Sequence, residues 1–232
     1  MMREENERIF CQMETVITEA QILLGVHDEV RERFMQVDDL AHGWEHVSRV
    51  YTLAQYIAER EGANRFVCAM AALMHDLGRT AAQDGSGHHA DLSMTLAIEI
   101  LNRYQVAPEM QKNILHAIIA HSFSRGVEPV TLEAGVVRDA DRLDALGAIG
   151  IMRWAITGMA RHTPETLSYH PDDPFAETHT LDDNHYMLDH FYAKLLKLGE
   201  TMTTETGRVL AQRRTAFMRT YLYEFARELK PT

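Results

Sequence analysis

The sequence predicts an all-α protein. Apolar residues recur at three- and four-residue steps through most of the chain, alternating strand-like runs are close to absent, and glycine, proline or a short polar residue stands where the period breaks. Val47, Val50, Leu53, Ala54 and Ile57 mark one helix, and Phe66, Met70, Leu73, Met74 and Leu77 mark the next, which Gly78 stops by taking up a left-handed conformation. That ending places His75 and Asp76 at a rim. Asp91 or Ser93 caps a helix running to about Tyr104. Pro108 opens another that reaches about Ala120.

From Glu133 to Ala160 the chain is apolar and rich in alanine and glycine, with Asp139, Asp141 and Asp144 set into it. Burying carboxylates in such a segment is costly unless they are paired or bound to a cation. From Arg161 to Asp183 the period disappears among Pro164, Pro171, Pro174, threonines and aspartates, which reads as a long surface loop of the kind that forms lids or partner sites. Helix then resumes, and Leu210, Phe217, Tyr221 and Phe225 form a stripe suited to packing on the core.

With 232 residues, 46% of them hydrophobic, the chain can bury a sizeable core, and nothing resembles a linker between independent domains. The expectation is one helical domain over residues 1–232: a core at about 20–160, a lid-like loop at about 161–183 and C-terminal helices at about 184–229. Cys11 and Cys68 lack the spacing of a zinc or redox motif. A charged N-terminus without an apolar run and the lack of any membrane-length apolar stretch imply a cytoplasmic protein without a membrane partner. The net charge of −11 argues against electrostatic capture of nucleic acid, though not against a small phosphorylated ligand held by a cation and a few side chains. A homodimer is compatible with these features.

Chemistry concentrates in four residues: His46 within His-Gly-Trp-Glu-His-Val-Ser-Arg-Val, the dipeptide His75-Asp76, and Asp141 within Asp-Ala-Asp-Arg-Leu-Asp. Two imidazoles and two carboxylates form a donor set of borderline hardness, suited to Mn, Fe, Co, Ni, Zn or Mg, with coordination positions left for water and a phosphate oxygen. His42, His46 and Arg49 share one face by their spacing, which brings His42 near the site.

These residues, in this order, resemble the signature of the HD-domain metal-dependent phosphohydrolases: a histidine, then His-Asp together, then a distant aspartate. The resemblance makes His46, His75, Asp76 and Asp141 the metal ligands and an HD helical bundle with additional C-terminal helices the fold. It spans roughly residues 20 to 225 and extends through Asp173-Pro174-Phe175, Leu181-Asp182-Asp183 and the run from Asp189 to Leu198, which are similar to a bacterial subgroup containing nucleoside triphosphate pyrophosphohydrolases. That subgroup implies hydrolysis of nucleoside or deoxynucleoside triphosphates to monophosphate and pyrophosphate. An HD nucleotidase or phosphodiesterase, or a nucleotide-binding regulator without turnover, are the alternatives. Alarmone hydrolases of the superfamily carry an acidic pair where Arg79-Thr80 stands here, and the Gly-Tyr-Pro element of cyclic-dinucleotide phosphodiesterases is missing.

Within that reading Asp76 also orients or deprotonates the attacking water, His121 contacts substrate phosphate, and Arg79 neutralises a polyphosphate leaving group. Lys194 and Lys197, one helical turn apart, are candidates for phosphate binding, Arg142 is a weaker one, and Asp144 orients a ligand or holds a cation. Some HD phosphodiesterases use further histidines for a second metal. Here His88 and His89 read instead as solvated loop residues and His116 as a helix-surface residue.

Overall fold

A computed structural model describes residues 17–81 and 89–230. The charged N-terminus, Cys11 and His88 lie outside the described residues.

Helix α1, Glu19–Phe34, starts at a reciprocal cap in which the Thr18 hydroxyl accepts from the Gln21 amide and the Gln21 side chain accepts from the Thr18 amide. Its Ile22, Val26, Val30 and Phe34 recur every fourth residue and are buried. Helix α2, Trp44–Glu61, buries His46, Val47, Val50, Ala54 and Ile57 on one face. Helix α3, Arg65–Met74, is apolar all round, with every residue after Arg65 buried, so it has to occupy the centre. It packs against α1 and α2 on one side. On the other it meets α5, Pro108–His121, and α6, Leu132–Asp144. Helix α4, His89–Arg103, packs on α5 and on the 3-10 turn Leu77–Thr80 that follows α3.

Helix α7, Gly147–Arg161, follows α6 after a break at Ala145–Leu146, with Gly147 at φ 73°, where a side chain would be strained. The apolar stretch predicted from Glu133 to Ala160 is therefore two helices set at a corner, which lets Asp144 and Arg153 approach one another. Residues 162–188 are irregular, with one isolated bridge between Leu167 and Tyr186, so the loop extends beyond the predicted Asp183. The chain then runs through a π-helical turn, Phe191–Leu195, a single α turn, α8, Leu196–Leu198, and a 3-10 turn, Gly199–Thr201. Helix α9, Glu205–Leu229, lies over α7, α6 and α2. No helix among the described residues is long and apolar enough to cross a membrane.

Three local expectations change. Gly78 does not adopt a left-handed conformation; α3 ends at Met74 with His75 as its cap residue, and Asp76, at φ −107° and ψ 14°, turns the chain into the 3-10 segment. Gly78 is required for closeness instead, because a β-carbon there would collide with the His89 carbonyl oxygen and lie 2.8 Å from the Ser93 nitrogen. Helix α4 begins at His89, before Asp91, and the Ser93 hydroxyl accepts a hydrogen bond from the Gly78 amide rather than capping its own helix. In α9 the buried face is Gly207, Ala211, Met218 and Leu222, which leaves Phe217 51% exposed although Leu210, Tyr221 and Phe225 do pack on the core.

Candidate metal centre and adjoining cavity

His46 from α2, His75 and Asp76 from the end of α3, and Asp141 from α6 converge at the junction of these helices. His46 Nε2 lies 3.3 Å from His75 Nε2, 3.4 Å from Asp141 Oδ1 and 3.8 Å from Asp76 Oδ2. His75, His46 and Asp76 are almost wholly buried, whereas the Asp141 side chain is 26% exposed, so the centre is a floor opening at Asp141 rather than the predicted rim.

The hydrogen bonds show why this arrangement calls for a cation. His75 Nδ1 donates to the Ala72 carbonyl at 2.7 Å, and His46 Nδ1 donates to Asp144 Oδ2 at 2.7 Å. With those protons fixed by their acceptors, both Nε2 atoms are bare when the rings are neutral. Two lone pairs then face each other at 3.3 Å beside two carboxylates, which repel unless positive charge lies between them. Asp76 Oδ1, buried without a hydrogen-bond partner among the described residues, makes the same demand. In a metal-free protein, burial opposes protonation of His46, but hydrogen bonds to Asp141 and Asp144 outweigh it and raise its pKa. Burial dominates at His75 and lowers its pKa to about 4. Burial would raise Asp76 and Asp141, yet the surrounding histidines, with Arg79 beside Asp76 and a His46 hydrogen bond to Asp141, hold both below the usual carboxylate range. The donor set therefore fits a divalent ion.

Asp144 stands behind His46. It also accepts from Arg49 Nε at 2.7 Å and Arg49 Nη2 at 3.0 Å, and lies 3.3 Å from Arg153 Nη1. Burial pushes its pKa up, but His46 and Arg49 hold it down at about 2. Both carboxylate oxygens of Asp144 therefore accept from protein groups, one of them from the ring of His46. Arg79 Nε donates to Asp76 Oδ2 at 2.7 Å, at the edge of the centre.

His121 is drawn in further than a simple phosphate contact requires. It is buried, its Nδ1 donates to the Ile118 carbonyl, and its Nε2 lies 3.8 Å from Asp76 Oδ1. His75, Asp76 and His121 form a second group of closely spaced donors that shares its first two members with the ligand set. His89 adds to it, with Nε2 3.7 Å from the same Asp76 oxygen, so it is not the solvated loop residue predicted. The close approach at Gly78 delivers His89 to this position, a tertiary contact that sequence spacing does not express. His116, by contrast, accepts from the Val130 amide away from the centre, as a surface residue.

A cavity of about 340 Å³ adjoins the centre. His42, Ala145 and Arg153 form the end next to the donors, and Arg161, Thr163 and Thr166 the far end. One wall is a face of α7 and the other is the loop with the π-helical turn. Trp154 Nε1 donates to the Met187 carbonyl, and its ring meets Phe191 edge-on at 4.9 Å. Lys194 lines the cavity from the wall that carries the π-helical turn. Lys197 is exposed and does not line the cavity. Arg142 turns away, donating to the Thr201 carbonyl and lying over the Phe123 ring, because the residue after a helical ligand points to another face. Asp139, on that same face, accepts from the Thr203 and Thr204 amides just before α9. Arg153 escaped the sequence reading. Only the corner between α6 and α7 brings it to Asp144.

Residues 43–146 match the HD domain family. Over 194 residues the chain is 37% identical to the YpgQ protein of Bacillus subtilis (strain 168), covering 82% of this chain and 83% of that protein. An HD-superfamily hydrolase from Bacillus thuringiensis superposes with a TM-score of 0.72 at 32% identity, covering 93% of this chain and 100% of the other. YpgQ in complex with ADP superposes with a TM-score of 0.70 at 29% identity, covering 92% and 97%. Ribonuclease Y of Treponema denticola is 27% identical over 150 residues, 62% of this chain but 27% of that protein. Together with the convergent histidine and aspartate donors, these likenesses establish that the chain belongs to the HD superfamily of metal-dependent hydrolases.

Proposed function

We propose that this hydrolase cleaves nucleoside or deoxynucleoside triphosphates to monophosphate and pyrophosphate, with His46, His75, Asp76 and Asp141 as ligands of the divalent ion. The observation that carries the reading is the cavity. In a chain of net charge −11, its lining carries Arg153, Arg161 and Lys194, with His190 paired to Asp183, a concentration of cationic groups suited to a polyphosphate. The ADP complex of YpgQ supports a nucleotide as the ligand class.

When bound, the ion supplies Lewis acidity toward a phosphoryl oxygen and lowers the pKa of its water. The chain's residues do the rest. Asp144 and the Ala72 carbonyl keep the ligand histidines in one tautomer. Arg79 holds Asp76 and stands where leaving-group charge develops. Lys194 binds phosphate in the cavity, and the segment at about 161–183 serves as its lid. Phosphorus NMR of products from manganese-loaded protein and a triphosphate mixture tests this. Pyrophosphate with monophosphate supports it, and orthophosphate as the first product refutes it.

The second donor group favours one further reading, a two-ion phosphodiesterase in which Asp76, His89 and His121 would hold the second ion. The similarity to ribonuclease Y is consistent with it. Metal analysis separates the readings: two ions per chain, falling to one in His121→Ala, supports this one, and a single ion in both proteins rejects it.

A further inference from the structure

A second carboxylate–imidazole pair stands beside the centre, in the turn between α1 and α2. Asp39 Oδ1 accepts from the Ala41 amide at 2.8 Å and the His42 amide at 3.1 Å, which fixes the carboxylate. Its Oδ2 lies 2.8 Å from His42 Nδ1. A carboxylate only accepts, so Nδ1 carries the proton and a neutral ring leaves Nε2 with its lone pair. Burial, and then the nearby Arg79 charge, lower the His42 pKa and favour that neutral ring. His42 lines the cavity at its near end, with its ring centroid 6.0 Å from that of His46. Among the described residues, Nε2 has no hydrogen-bond partner.

We infer that His42 Nε2 accepts a hydrogen bond from the attacking water and orients it toward the phosphorus, and that Asp39 is the positioning residue that sets the His42 tautomer. The pair repeats the arrangement of Asp144 with His46 but serves a different group: His46 turns its bare nitrogen into the donor cluster, while His42 belongs to the cavity wall. No bond to His42 forms. Its contribution is direction, with one lone pair of the water left pointing at the substrate. The inference rests on the hydrolytic reading above but not on a triphosphate as substrate.

Asp39→Asn tests it with little change of shape. The two backbone amides retain the carboxamide oxygen of the new side chain, so its NH2 group faces His42 Nδ1, which has to give up its proton; Nε2 becomes a donor. The kcat is expected to fall on the order of 10²-fold while KM and metal affinity stay within about threefold, since only the group acting on water is altered. Nitrogen-15 NMR of histidine-labelled protein is expected to show His42 protonated at Nδ1 in the parent and at Nε2 in the variant. His42→Gln, which can offer an oxygen near the position of Nε2, is expected to retain more kcat than His42→Phe. Parent protein with His42 protonated at Nε2, or His42→Phe with parental kcat, overturns the inference. If the parent hydrolyses no triphosphate, only the substrate reading falls; the same variants are then compared on bis(p-nitrophenyl) phosphate, and the NMR result is independent of substrate.

Discussion

Asp144→Asn separates the role of orienting a ligand from that of being one. The carboxylate receives His46 Nδ1 and Arg49 Nη2 on one oxygen and Arg49 Nε on the other, with Arg153 3.3 Å away. An amide keeps the volume but has one acceptor, and its NH2 group has to face either His46 or Arg49, both of which donate. At least one charge-assisted hydrogen bond is lost, worth about 1.5–3 kcal/mol, and two arginines lose their counter-charge. Groups that orient a metal-bound histidine typically account for about 10–100-fold in affinity, or about 1.4–2.7 kcal/mol. Calorimetric titration of metal into chelator-stripped protein measures affinity, and urea unfolding of the same preparation measures stability. The expected result is a 10–100-fold weaker Kd with about 2–4 kcal/mol lost on unfolding and helical circular dichroism retained. Unchanged metal affinity in a folded Asp144→Asn protein would refute the assignment of Asp144 to His46.

Other outcomes follow from the same geometry. In chelator, stability is expected to fall with acid in two stages. His75, neutral when folded down to about pH 4, takes up its proton first in the unfolded state as pH drops below its ordinary value, a loss on the order of 3 kcal/mol; Asp144 adds a second loss as pH falls from the usual carboxylate range toward about 2. Urea midpoints across that range check it, and a flat profile between pH 6.5 and pH 4 would count against a buried neutral His75. Lys194→Ala is expected to raise KM about tenfold with a smaller change in kcat, and Lys197→Ala to leave both near parental values, because only Lys194 reaches the cavity. Gly78→Ala is expected to cost about 1–3 kcal/mol in urea unfolding, since the added methyl group meets the backbone of His89 and Ser93.

The sequence made the helices and the donor set legible because both are local signals. Val47, Val50, Ala54 and Ile57 are buried where the period puts them, and His46, His75, Asp76 and Asp141 come together as the motif implies. What it concealed depends on angles between elements. The corner at Gly147 decides that Arg153 meets Asp144, and the contact at Gly78 decides that His89 reaches Asp76. The outward turn of Phe217 shows the same limit, since an aromatic at helical spacing fits two adjacent faces and only the packing of α9 selects Met218 instead.

Asp144 and His46 are 98 positions apart in the chain, and the donors they support come from α2, α3 and α6. An ion held by all three would act as a removable cross-link, tying off a loop of about two fifths of the polypeptide. Because only the folded chain assembles the grip, free metal at a thousandfold excess over Kd adds about 4 kcal/mol of resistance to unfolding. Metal supply would therefore set the resistance of this protein to unfolding as well as its turnover.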